Sequence, residues 1–370
     1  MERKPVVPLK VYYLILFISA GLGVFGLFSV YSATRTFMSI SHLMSQTVAF
    51  FMGVCAMVFL AHFDYRLFRC FNVWVFVICT FMLLAVLLGG ITGVWGSKSW
   101  IKLGPLTLQP SEPAKLCFII SFGVHLERVK NRINTPVTLL LLIIHLLVPL
   151  SLIMLQPDFG TAIVFVFIFV FMMFSAGLSY KIILSAVILL VICAPIIYYF
   201  LDDYQQGRIQ VFLDPGTDPL GKGFNVIKSR ITLGSGQLLG RGYLNGANTQ
   251  LGTLPAKHTD FIFSTVAEEL GFIGAFVVLT ALFVLIALCF MVSVRSTDAL
   301  GKYIAVGVTG FLLFHTTENI GMCMGILPVT GIPLPFISYG GTALISVYGA
   351  IGLVCSVYLH SDREIIFYKT

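Results

Sequence analysis

Long apolar runs, separated by short polar breaks, account for most of the chain. A run of roughly 18 or more mostly apolar residues is long enough to cross a bilayer as a helix. Ten such spans are predicted, at residues 11–33, 43–62, 72–94, 112–127, 137–155, 159–177, 181–201, 261–294, 302–326 and 338–360. The pattern predicts an all-α polytopic integral membrane protein, folded as a single domain over residues 1–370 with no internal repeat. The first run lacks a small-residue cleavage pattern at its end and reads as a retained span rather than a signal peptide.

Lys and Arg in short loops set the orientation, because they are retained on the cytoplasmic side. With the N-terminus inside, the inner face collects Arg3, Lys4, Lys10, Arg66, Arg69, Arg128, Lys130, Arg132, Lys181, Arg295, Lys302, Arg363 and Lys369. The short outer loops then hold only Arg35, Lys98 and Lys102. Both termini are therefore expected in the cytoplasm. The inner loops are short and basic, whereas the outer ones, at residues 93–115, 155–160 and 327–341, are rich in Pro and Gly. Non-helical backbone near membrane depth is tolerated only where protein buries it or it lines a wet cavity. A polar cavity is expected on the outer side.

One break is unlike the others. Residues 202–260 form a long extracytoplasmic loop between the seventh and eighth spans, with six cations (Arg208, Lys222, Lys228, Arg230, Arg241, Lys257) and many glycines. It shows no strong periodicity of its own. A loop of this length is usually functional or disordered, and its interspersed apolar residues favour an ordered, functional one.

Composition narrows the classes further. At 58% hydrophobic and 11% charged, with 33 Phe, the chain is no soluble domain. Its formal charge of +7 is spread over short loops rather than one basic stripe, which argues against nucleic acid as a partner. The eight Cys lie almost entirely in apolar segments without a C-x-x-C pair, so they read as small buried hydrophobes rather than disulfides or metal ligands.

Ionisable groups within or at the ends of spans are functional candidates. Ser111 reads as an N-cap for the fourth span, with Glu112 and Lys115 one turn apart on a shared face. That pair is either a structural ion pair or a held cation facing the cavity. Asp158 is well placed to cap the sixth span, and Asp260 either caps the eighth or faces the cavity. Helical geometry puts Glu268 within about 80° of Asp260 and Glu269 on the opposite side; one acid can line the cavity while the other bonds a neighbour. Glu318, Asn319, His315 and His145 read as polar groups satisfied between helices.

Taken together, these stretches resemble the SEDS family (shape, elongation, division and sporulation), the polytopic glycan polymerases that include RodA, FtsW and SpoVE. The residues carrying the resemblance are Gln109-Pro110-Ser111-Glu112 with Ala114-Lys115, and Gln156-Pro157-Asp158 with Gly160-Thr161. Leu213-Asp214-Pro215, Asp218-Pro219-Leu220-Gly221 and Gly234-Ser235-Gly236 follow. Then come Leu254-Pro255, His258-Thr259-Asp260-Phe261-Ile262-Phe263 and Glu268-Glu269-Leu270-Gly271. Asn319-Ile320-Gly321, Pro333-Leu334-Pro335-Phe336 and Ser338-Tyr339-Gly340-Gly341 complete the set. Ala267 before the acid pair and the Asp214-to-Gly221 spacing resemble RodA, the elongation member, more than FtsW.

The resemblance implies a ten-span fold and polymerisation of lipid II into glycan strands at the outer face of the bacterial cytoplasmic membrane. It implies a class B penicillin-binding protein as crosslinking partner, in an elongation or division complex. It implies Asp260 as the catalytic carboxylate, acting as general base, Glu112 and Lys115 as a cavity pair, and Asp158 and Arg208 as outer-loop participants. Lys257 and Glu268 are further candidates for substrate contact, and Ser338, Tyr339 and Asn319 for shaping the cavity. No metal site is expected, and whether a divalent cation assists the diphosphate stays open. Three positions depart from the family pattern: Ser99 where an Arg is common, Ala256 where Leu-Pro-Glu is usual, and Gln237 in place of a glycine. Two rival readings remain, a lipid flippase or transporter and a non-catalytic scaffold of a penicillin-binding protein.

Overall fold

The computed structural model describes residues 10–35, 39–92, 98–103, 106–199, 203–221 and 223–360. Arg3, Lys4, Lys222, Arg363, Lys369 and the side chain of Lys98 lie outside the described residues. Helices occupy all ten predicted spans. The first seven are α1 (Lys10–Thr34), α2 (Ser39–His62), α3 (Phe68–Gly89), α4 (Ser111–Val129), α5 (Pro136–Met154), α6 (Phe159–Ser175) and α7 (Tyr180–Tyr199). The long outer segment follows as α8 (Asp203–Leu213), α9 (Phe224–Ser235) and α10 (Ala247–Leu251). The chain ends in α11 (Ile262–Arg295), α12 (Ala299–Met324) and α13 (Gly341–His360).

Seven of these helices are long and apolar enough to cross a membrane by length and composition alone: α1, α2, α3, α5, α11, α12 and α13. The remaining spans are marginal for physical reasons. α6 has 17 residues and reaches only about 25 Å. α4 carries Glu112, Lys115, Glu127 and Arg128, and keeps its first two charges buried. These helices depend on neighbours, because intramembrane charges require internal partners.

α12 and α13 are the most enclosed spans, with α12 touching α4, α6, α9, α11 and α13. α2 packs along α13 at backbone contact. A Cβ on Gly352 would lie 2.7 Å from the Met57 carbonyl, and one on Gly53 would lie 2.6 Å from the Tyr348 ring. Small residues permit this approach and the dispersion contacts it brings. The cytoplasmic end is closed by polar bonds. Arg69 forms a two-pronged bond to Glu127 (2.8 Å each) and reaches Asp298 at 2.6 Å; Tyr65 donates to Asp298 at 3.0 Å.

The outer end departs from the sequence expectation in two ways. Between α3 and α4 the chain forms a small antiparallel sheet, ordered β1 (Ile91–Thr92), β2 (Lys98–Leu103), β3 (Leu106–Leu108), an addition to an otherwise helical protein. The segment after α7, without evident periodicity, is nevertheless three short helices. It is tied down where α11 breaks. Gly271 sits at φ 68°, ψ −170°, which interrupts the helical hydrogen bonding. The freed carbonyls of Glu268 and Glu269 accept from Arg241 N and Gly242 N, both at 2.9 Å. Phe272 N and Ile273 N donate to Gln237 O and Leu238 O at 2.8 and 3.2 Å. At Gly236 a Cβ would lie 1.9 Å from the Ala267 carbonyl, so only glycine fits.

Cysteine burial also differs from expectation. Cys79, Cys289, Cys323 and Cys355 are buried, whereas Cys55 and Cys70 are exposed. In a lipid-facing helix, exposure carries no apolar penalty, so apolar context in sequence does not imply a protein interior.

Candidate active site

The turn His258-Thr259-Asp260 runs into α11, and its backbone is held from three directions. Tyr339 N donates to the His258 carbonyl at 2.8 Å. The Ser338 hydroxyl donates to the Thr259 carbonyl at 2.7 Å while accepting from Leu334 N at 2.8 Å. Asn319 Nδ2 donates to the Asp260 carbonyl at 2.8 Å and to the Ile332 carbonyl at 2.7 Å. Three successive carbonyls are thus satisfied by residues from α12 and the Pro/Gly-rich stretch before α13. The N-cap of α11 is Phe261, which makes no side-chain capping bond, so Asp260 does not occupy the N-cap.

Asp260 lines an outer-side cavity of about 330 Å³. The wall also includes Glu112, Lys115, Asp158, Arg208, His315 and Tyr339. Arg208 comes from α8, so the long outer segment contributes directly. Trp100 and Thr107 come from the small sheet, and Thr330 to Pro333 from the stretch after α12.

Lys115 is 1% exposed. A buried ammonium is costly unless paired, and here Glu112 Oε1 accepts from it at 2.8 Å. Its Nζ also lies 3.1 Å from His315 Nε2 and 5.1 Å from the Phe311 ring centre. An ammonium only donates, so His315 Nε2 must accept. The imidazole proton then sits on Nδ1 and is given to the Pro333 carbonyl at 3.2 Å. Glu112 Oε2 is buried without a protein partner, an acceptor left over beside the cavity.

Asp158 caps α6 as the sequence suggests, accepting from Thr161 N at 3.1 Å and Thr161 Oγ1 at 2.9 Å. Ser99 donates to the same carboxylate at 3.1 Å. At the position where the family pattern has Arg, this chain therefore uses a hydroxyl to hold Asp158. Ser111 does not cap α4: Pro110 is the cap residue, and the Ser111 hydroxyl is buried without a partner.

Two sequence candidates lie elsewhere. Glu268 does not line the cavity; it is fully buried and accepts from Asn248 N (2.8 Å), Asn248 Nδ2 (2.9 Å), Thr249 N (2.9 Å), Thr249 Oγ1 (2.7 Å) and Ser235 (3.2 Å). Helical angle relates it to Asp260, but the intervening loop covers that face. Glu269 accepts from Ser32 on α1 and from Gln250. Both acids fasten the outer segment. Lys257 turns away as well: its ammonium donates to the Thr249 carbonyl, and it lines a second cavity. Burial holds the Lys257 pKa below the usual lysine value, while Glu268 and Glu269 oppose that shift.

His315 bonds across helices to Lys115, as the sequence suggests, and it also lines the cavity. The available signal was spacing, since His315 and Asn319 lie one helical turn apart on one face of α12. The other two departures are backbone positions: Ala256 and Gln237 adopt φ of 50° and 51°, where non-glycine residues are strained.

Fold and site define a polytopic membrane protein whose acids and cations converge at its outer face. A family model described as "Cell cycle protein", covering FtsW, RodA and SpoVE, matches residues 9–363, and the chain belongs to that family. It is 38% identical over 314 residues to the peptidoglycan glycosyltransferase MrdB of Escherichia coli (strain K12), covering 84% of this chain and 83% of that one. It superposes with a TM-score of 0.81 on a chain from a peptidoglycan synthase complex solved to address coordination of polymerization and crosslinking. Identity there is 28%, with 95% and 98% of the chains covered. The rod shape determining protein RodA of Thermus thermophilus gives a TM-score of 0.70 at 25% identity, covering 95% and 97%.

Proposed function

We propose that this chain is a peptidoglycan glycosyltransferase of the bacterial cytoplasmic membrane that polymerises lipid II into glycan strands at the outer face. Asp260 is its general base. The observation that carries this reading is the sharing of one outer cavity by Asp260, Lys115 and Arg208. The sugar 4-hydroxyl of one lipid-linked substrate attacks the anomeric carbon of another. The new glycosidic C–O bond forms as the bond to the lipid diphosphate breaks. A diphosphate leaves as a stable anion, so the general acid of a hydrolytic glycosidase has no counterpart here. One base suffices: the Asp260 carboxylate takes the hydroxyl proton, a contribution of about 10²–10⁴-fold. Lys115 and Arg208 stabilise the charge gathering on the diphosphate.

Supporting groups follow from the same geometry. Glu112 neutralises Lys115 through Oε1 and offers Oε2 to a substrate hydroxyl. Asp158 orders the rim with Ser99 and Thr161. Asn319, Ser338 and Tyr339 fix the backbone of the His258-Thr259-Asp260 turn. We further propose a class B penicillin-binding protein as crosslinking partner, supported by likeness to the synthase-complex chain.

The test is polymerisation of lipid II by the purified chain with its partner, whose crosslinking is blocked, comparing the native protein with Asp260→Ala. Glycan strands from the native protein and none from a folded, partner-bound variant support the reading. Near-native polymerisation by the variant removes Asp260 from the chemistry. Movement of lipid II across a vesicle bilayer, without polymerisation by either protein, replaces the reading with transport.

A further inference from the structure

A second cavity of about 320 Å³ lies on the other side of the His258-Thr259-Asp260 turn. Thr259 and Asp260 face the first cavity, whereas Lys257 and His258 face the second. The opposite wall comes from Thr34 at the end of α1 and His42 on α2. At the boundary, three rings form a cluster. His42 and Tyr339 have centroids 4.9 Å apart, and His258 lies 5.6 Å from each. Tyr339 belongs to the first cavity, and both histidines belong to the second.

The chemistry of this wall selects among ligands. Lys257 is tied to the Thr249 carbonyl, and Glu268 and Glu269 act on it electrostatically. A phosphate entering here meets a cation already engaged and two nearby carboxylates. The His258 imidazole is held neutral, its pKa lowered to about 4 by burial and by His42 and Lys257. What remains is a pair of imidazole rings set among the apolar side chains of Ala33, Leu254 and Ala256, with the Thr34 hydroxyl beside them. Such a surface suits the apolar C–H face of an uncharged pyranose ring, with its hydroxyls turned to the rim.

We propose that the second cavity is a saccharide subsite that takes a non-phosphorylated N-acetylhexosamine ring of the glycan strand against the His42 and His258 rings, which Tyr339 backs from the first cavity. This rests on the polymerase reading and extends it. The reacting ring and its diphosphate occupy the first cavity, and the subsite retains strand between additions. Losing it shortens strands more than it slows substrate consumption.

The test uses the full chain with its partner and an N-acetylhexosamine hexasaccharide carrying a photoreactive diazirine. Labelling of the peptide containing His42 in the native protein, competed by unlabelled hexasaccharide, is expected. His42→Ala should lower labelling at least tenfold and shorten strands at least threefold, with a smaller fall in lipid II consumption. His42→Phe, which keeps an aromatic face, should restore both. Absence of labelling near His42 in the folded native protein overturns the subsite. Equal loss of strand length and consumption in His42→Ala, without rescue by His42→Phe, overturns it also. Labelling is read without turnover, so a native protein that binds the hexasaccharide but makes no glycan refutes the polymerase reading and leaves the saccharide site standing.

Discussion

Asn319 Nδ2 stands 2.8 Å from the Asp260 carbonyl and 2.7 Å from the Ile332 carbonyl. One buried amide on α12 thereby joins the turn that carries the candidate base to the Pro/Gly-rich stretch forming the opposite wall. Both Nδ2 protons are used, and the side chain is fully enclosed.

Removing that amide takes the Nδ2 donor from two buried carbonyls and leaves the Asp260 carbonyl only the Cys323 thiol at 3.7 Å; a buried carbonyl left unpaired costs about 1–3 kcal/mol. Asn319→Ala is expected to lower the thermal midpoint. Because a displacement of about 1 Å can cost 10²-fold in rate, polymerisation should fall by roughly one to two orders of magnitude. Lipid II polymerisation and thermal unfolding of the same preparation check this. A stability loss without a rate loss would separate Asn319 from positioning Asp260.

The Lys115–Glu112 pair gives a different signature. Lys115→Met strands the Glu112 carboxylate in a buried site, a loss of about 3–5 kcal/mol. The double variant Lys115→Met/Glu112→Leu removes both charges and should recover most of that stability. Activity should remain lost in both if Lys115 serves the diphosphate as proposed, since its cation is gone from the cavity wall. Unfolding and polymerisation measured across the four members of the cycle distinguish the structural role of the pair from its chemical one.

Glu268 fastens the outer segment with bonds to Asn248, Thr249 and Ser235. Hydrogen bonds to a charged group contribute about 1.5–3 kcal/mol each. Glu268→Ala should therefore free the α10 region, and limited proteolysis between residues 237 and 257 should accelerate at least tenfold. Gly236→Ala should act on the same region through the clash with the Ala267 carbonyl. Unchanged proteolysis in both variants would refute the latch.

His258 makes stability depend on pH in a stated direction. Its pKa is lowered from 6.5 to about 4, first by burial and then by His42 and Lys257. The unfolded chain therefore binds a proton that the folded chain resists, and this contribution is complete above pH 6.5. It is lost progressively as pH falls from 6.5 toward 4, by up to about 3 kcal/mol. His258→Phe should flatten the fall of the thermal midpoint across that window. An identical pH slope in the native protein and the variant would show that His258 is not the responsible group.

Much of this protein was determined locally. Ten apolar runs became ten helices because a bilayer leaves few other ways to satisfy backbone groups. Spacing alone put Glu112 and Lys115 on one face, and Asp158 at a helix start was a sound N-cap. The tertiary structure decided what lies opposite each group. Glu268 and Asp260 share a helix face by angle, yet the outer segment folds over one and leaves the other at a cavity, a relation no periodicity encodes. His315 became a partner of Lys115 only when α4 and α12 met across 200 residues. The three carbonyls of His258, Thr259 and Asp260 were likewise matched to donors about 59 to 81 residues away. Side-chain type and helical period are properties of neighbours in sequence. A cavity is made of residues distant in sequence, and only packing chooses them.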